Sequence, residues 1–274
     1  MAGRHAQPSE RIRLSRRGKA AGGAAVVVLV GTALCAWPAS GDDHRADGTS
    51  VTAQDSPTTG TSSKQRPTGL KQGSPVRSEP GHIPGLDASM RDRIPAKSQQ
   101  VLVVTGEDTD SHDSTVTLYT RAKDSEKWSA GDAWPAHNAA KGWTKDHHYG
   151  DLRSPEGVFS LSDAGGKLAP PRGTKLPYDH NSSFVANGSG VEGEPLAGAF
   201  DYVIAIDYNR VPGSSPLDTR RPEGAAKGGG VWLHVDHDGP TQGCVSLKAD
   251  KMRELLRTLD PAKHPVIVMG PSGR

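Results

Sequence analysis

The stretch WLHVDHDGPTQGCVSL, residues 232–247, places Cys244 ten residues after His234 and seven after His237. A cysteine attacks a carbonyl as the thiolate, so it needs a base, a group that holds the base, and donors for the oxyanion that forms. This stretch offers all three. His234 is the candidate base, and Asp236, His237 or a backbone carbonyl can hold its far nitrogen. The turn Thr241-Gln242-Gly243 brings backbone N–H groups, at Gly243 and Cys244, towards the substrate, with glycine permitting a tight bend.

The same residue types also bind zinc. His234, His237, Asp236, Asp238 and Cys244 are all competent ligands, although positions 234 and 237 of a strand face opposite sides unless the chain turns between them. Nucleophile, metal ligand and packed core thiol therefore stand as the three readings of Cys244. A second polar group, KDHHYGD, offers His147, His148 and Asp151 as metal donors or as a solvated loop. Arg220 and Arg221 read as a solvated pair or as binders of carboxylates. Trp128, Trp134 and Trp143 read as core or as the lining of a groove.

These residues need a scaffold, and the patterning makes it mostly β. Alternation in STVTLYT puts Val116 and Leu118 on one face, with Thr117 and Tyr119 on the other. In YVIAIDY it groups Tyr202, Ile204, Ile206 and Tyr208 against Val203, Ala205 and Asp207. In VWLHV it sets Val231, Leu233 and Val235 against Trp232, His234 and Asp236, so that His234 looks out of the sheet beside Trp232. Trp232 and Tyr202 are therefore further candidates for contact with substrate. Two long Gly/Pro-rich connections, SDAGGKLAPPRGTKLPYDHNSS and NRVPGSSPLDTRRPEGAAKGGG, suit a site built from loops. One helix is legible: Met252, Leu255, Leu256 and Leu259 follow the i, i+3, i+4, i+7 rule, with Ser246 as cap and Pro261 beyond the end. On that reading Cys244 precedes a helix N-terminus, whose dipole lowers a thiol pKa from about 8.5 towards neutrality. HPVIVMG reads as a final buried strand.

The chain has 33 Gly and 21 Pro, too many for a mostly helical fold. Six basic residues against Glu10 in the first 39 leave the remainder mildly acidic, which argues against a nucleic-acid partner. The basic start and the apolar run AAGGAAVVVLVGTALCAWPAS make residues 1–40 a signal peptide or a retained signal anchor. Cys35 lies within that run, so Cys244 would be the sole cysteine of a processed chain, retained for chemistry rather than for a disulfide. Residues 41–97, rich in Ser, Thr, Gly and Pro, read as a disordered tether. The folded domain is then 98–274, beginning at QQVLVVTG.

WLHVDHDGPTQGCVSL, together with RSPEGVFSL at 153–161, resembles the active-site blocks of the YkuD-like L,D-transpeptidases. In that family an apolar strand ends at a histidine, a [Ser/Thr]-x-Gly-Cys-aliphatic turn follows, and a [Ser/Thr]-Pro-x-Gly-x-Phe strand lies upstream. The resemblance spans about residues 98–270. It implies a β-rich, sandwich-like domain that acts as a monomer on peptidoglycan stem peptides in the cell envelope, without cofactor or metal. Cys244 matches the nucleophile, His234 the general base, and Gly243 with Cys244 the oxyanion turn. The chain departs from the family in a shorter His-to-Cys interval, in Gln242 before Gly243, and in Ser246 where Arg or Asn is usual. A carboxypeptidase using the same thiol, a zinc-dependent wall hydrolase and a non-catalytic wall-binding module are the competing expectations.

Overall fold

The computed structural model describes residues 82–273; the expected signal segment, Cys35 and most of the expected tether lie outside the described residues. The fold is mostly β with one helix near the C-terminus, as the sequence predicts. It is built on a single curled sheet.

In chain order the strands are β1 (Gln100–Gly106), β2 (Asp113–Thr120), β3 (Ser129–His137), β4 (Trp143–Thr144), β5 (Ser154–Pro155), β6 (Gly157–Ser160), β7 (Ala164–Gly166), β8 (Tyr178–His180), β9 (Val203–Ala205), β10 (Trp232–Val235), β11 (Val245–Leu247) and β12 (Val266–Pro271). Ten of them form one sheet in the order β6-β12-β1-β2-β3-β11-β10-β9-β7-β8, while β4 and β5 pair separately. The curl follows from connectivity. Strands β6 and β7 stand at the first and ninth places of the sheet, roughly 38 Å apart if it were flat at about 4.8 Å per strand. Only Leu161, Ser162 and Asp163 join them, a link that reaches about 14 Å. The sheet must bend until its edges approach, and backbone bonds from Ala205 N to Asp163 O (2.9 Å) and from Asp207 N to Ser160 O (3.0 Å) close the gap.

The core lies inside the curl. Leu102, Val104, Val116, Ile204, Leu233, Val245 and Leu247 meet Met252, Leu255 and Leu256 from helix α2 (Ala249–Thr258). The outer face of β1, with Val101 and Val103, is covered by Ile83 and Leu86, which precede the short helix α1 (Ala88–Asp92), and by Met90 within it. The folded part thus begins before residue 98. Burying each such aliphatic side chain is worth about 1.5–3 kcal/mol, so three of them anchor a segment whose composition reads as tether.

Other expectations change as well. Ser246 lies within β11, and α2 is preceded by Lys248 with no side-chain cap. The first long connection contains β7 and β8. Trp134 and Trp143 are core residues, and Trp128 packs beneath Arg121 at 4.4 Å, so the three tryptophans line no common groove.

Candidate functional site

Strands β10 and β11 run parallel, with Leu233 opposite Val245 and His234 opposite Ser246. Cys244 therefore stands one step before the ladder, beside Trp232. The Trp232 N–H points at its Sγ (3.4 Å), and the thiol reaches Gly230 O at 3.6 Å. By alternation Trp232, His234, Cys244 and Ser246 share one face. Cys244 is half-buried and reduced.

The turn before Cys244 is tied down from several sides. Thr241 pairs with the loop after β3: its N–H donates to Asn138 O and its carbonyl accepts from Ala140 N, both at 2.9 Å. Its hydroxyl donates to Cys244 O at 2.7 Å, and Ser154 Oγ donates to the same carbonyl at 3.2 Å while accepting from Ala139 N at 3.0 Å. The serine of the upstream RSPEGVFSL block thus touches the cysteine of the downstream block. Gly243 N–H donates to Thr241 Oγ1 at 3.3 Å, directed into the turn. Gly243 itself has no positive φ, and a Cβ there would meet His147 Cε1 at an ordinary 3.5 Å. The strained residue of the connection is Asp238, at φ +60°. Gln242 is half-buried in this turn.

Helix α2 begins five residues beyond Cys244, with β11 between them. An extended run of that length covers about 16 Å, whereas the helix-terminal field fades within about one turn. The dipole does not act on this thiol; the nearby Trp232 N–H is the donor that does.

His234 does not look into solvent. It is 3% exposed, stacked on His237 with ring centroids 5.6 Å apart and edge-on to Phe200 at 5.5 Å. Its Nδ1 lies 2.9 Å from Val235 O. A carbonyl only accepts, so Nδ1 carries the proton and Nε2 the lone pair. Burial pushes the imidazole pKa down to about 4, leaving the ring neutral at pH 7. The group that orients it is a backbone carbonyl. Asp236 serves another partner: its Oδ1 accepts from Ser246 Oγ and contacts His137 Nδ1, each at 2.8 Å. That contact raises the His137 pKa, and although burial works to raise the Asp236 pKa, the two hydrogen bonds outweigh it and lower it.

His237 is likewise enclosed, its side chain 5% exposed, with Nδ1 3.1 Å from Glu194 Oε1. The contact lacks hydrogen-bond alignment and is a close approach of polar groups. Glu194 arrives from the long connection before β9 and packs against Gly239, where a Cβ would stand 2.7 Å from its carboxyl carbon. Tyr202 is a core residue, and Trp232 packs edge-on to Phe200 at 5.1 Å.

The segment KDHHYGD, open in sequence to a metal site or a solvated loop, is neither at His147. His147 is buried, its Nδ1 is 3.0 Å from Asp151 Oδ1 in a close approach without hydrogen-bond alignment, and its other edge faces Gly228 and Gly243. Burial lowers its pKa, with Asp151 opposing. His148 is exposed. Among the described residues no group of three or more His, Cys, Asp or Glu side chains is arranged to hold a metal ion; His234 and His237 stack instead of converging on a point.

No family model and no curated protein matches this chain.

Proposed function

We propose that this protein is a peptidoglycan L,D-transpeptidase with Cys244 as nucleophile, related to the YkuD-like enzymes its two sequence blocks resemble. The observation that carries the reading is the placement of Cys244 Sγ at the mouth of the β10–β11 ladder. It lies within reach of the Trp232 N–H, on the sheet face that also bears His234, a neutral imidazole whose lone pair is on Nε2.

In this reading His234 Nε2 accepts the thiol proton, and the thiolate attacks the carbonyl carbon of the third stem residue. The C–N bond to the terminal D-alanine breaks, the imidazolium returns its proton to the leaving amine, and a thioester remains. An amine from a second stem then attacks the thioester. Its proton passes back to the thiolate through the imidazole, and a new amide forms with no nucleotide consumed. Water in place of the amine would make the same site a carboxypeptidase. The apolar N-terminal run supports work outside the cytoplasm, either secreted or held at the membrane.

Incubation of the full chain with a defined tetrapeptide stem should add the mass of the stem less alanine at Cys244, and a carbapenem should label the same residue. Cys244→Ala should show neither adduct. An undiminished adduct in that variant, or none on the folded wild-type protein, refutes the proposal.

A further inference from the structure

The connection between β9 and β10 carries Arg221 onto the glycine run that ends beside the thiol. Its Nη1 donates to two backbone carbonyls, Asp218 O at 3.0 Å and Arg220 O at 2.9 Å. The neighbouring Arg220 pairs with Asp218, but among the described residues no carboxylate lies within ion-pair distance of Arg221. The Nε–H and Nη2 groups, which form the edge that clasps a carboxylate in two parallel bonds, have no acceptor among the described residues.

That edge lies on a glycine track. Gly228, Gly229 and Gly230 have φ of +66°, +143° and +69°, and a Cβ at Gly229 would stand 2.2 Å from Arg221 Nε. At Gly230 it would stand 3.4 Å from Nη2. The carbonyl of the same Gly230 is the group 3.6 Å from Cys244 Sγ. Half-burial lowers the pKa of the guanidinium, with Asp218 opposing, as for a cation whose counter-charge is incomplete.

We infer that Arg221 is a specificity-determining residue that receives the C-terminal carboxylate of the acyl donor, so that the thiol acts at free chain ends. The inference rests on the acyl-transfer reading of Cys244 and names its substrate class. An attacked carbonyl at Sγ places the carboxylate of the leaving residue about 3.5 Å further along the peptide, and Gly230 is the residue that lies against both the thiol and the guanidinium. A leaving residue with an amidated end presents no charge there.

Two measurements on the full chain test this separately from the transpeptidase reading. The first compares alkylation of Cys244 by iodoacetate, an anion, and by iodoacetamide, which is neutral, in wild type and in Arg221→Gln, with the site read by peptide mapping. The wild-type preference for iodoacetate should fall about fivefold in the variant, the scale of a unit charge roughly 7 Å away in a partly screened site, and Arg221→Lys should keep most of it. The second compares acylation by a tetrapeptide stem ending in D-alanine with the same stem ending in D-alaninamide. Wild type should favour the free acid at least tenfold in kcat/KM, and Arg221→Gln should lose that preference with little change towards the amide. An unchanged reagent ratio, or an acid preference that survives in Arg221→Gln, overturns the inference and leaves the thioester reading intact. A fall in the reagent ratio with acylation by neither stem supports the carboxylate site and refutes the peptidoglycan reading.

Discussion

Two buried imidazoles approach the turn that carries Cys244, and they are held by opposite means. His234 is fixed by its own strand, with Nδ1 on Val235 O, and walled in by His237 and Phe200. His147 comes from a loop and is backed by the carboxylate of Asp151. Burial dominates at His234: the Val235 carbonyl favours the imidazolium only weakly, so desolvation prevails and the pKa falls to about 4. A carboxylate behind Nδ1 favours the imidazolium and offsets part of the burial penalty. A strand-held histidine is placed rigidly and kept neutral, and one with a carboxylate beside it is better able to store a proton.

The largest expected effect is on acid stability. His234 titrates near 4 folded and near 6.5 unfolded, so the unfolded chain binds the extra proton between those values and stability falls as pH drops through that window. The loss from this group is about 3 kcal/mol. His137, with its raised pKa, contributes fully below about 6.5 and weakens only as pH rises beyond it, so it does not mask the trend. Urea unfolding at pH 7 and pH 4.5 should show a smaller difference in His234→Gln than in wild type; equal differences would mean that the ring is solvated.

Next in size is the acylation rate. His234→Ala should slow it about a hundredfold or more, the usual scale for losing a general base, and His147→Gln about tenfold. Single-turnover acylation by the tetrapeptide stem, on variants checked for folding, decides between them. A larger loss in His147→Gln would transfer the base to the Asp151-backed ring.

Smallest is the outer wall of the His234 nest. Glu194→Gln and His237→Ala should each change acylation by less than about tenfold, because the carboxylate meets His237 and acts on His234 only through ring stacking. A hundredfold loss in either would make Glu194 part of the proton path.

The strands, the helix and the candidate nucleophile were legible because they depend on period and residue type, which lie along the chain. Met252, Leu255 and Leu256 announce α2, and all three are fully buried. Partnerships set by distant segments were not legible. Asp236 stands two residues from His234 yet binds His137 of β3, and Glu194 reaches His237 from the connection before β9. Arg210 and Asp207 are buried as an ion pair, joined by Asp163 at 3.0 Å, inside segments that read as a loop and a half-exposed strand. One signal was available: Gly239 follows Asp238 in a turn and marks where another side chain enters.

Strand β12, the last in the chain, is inserted between β1, the first, and β6. The sheet cannot be completed until β12 has been made, so the β1–β12 pairing must close a loop of nearly the entire described length, a topology that folds slowly. A polypeptide emerging from its N-terminus therefore carries β1 as an open hydrophobic edge until β12 has been made. The segment bearing Cys244 also emerges late, shortly before β12. Completion of the sheet and assembly of the thiol's surroundings thus fall close together, and a chain cut short before residue 266 would lack both the closing strand and the means to shelter its edge.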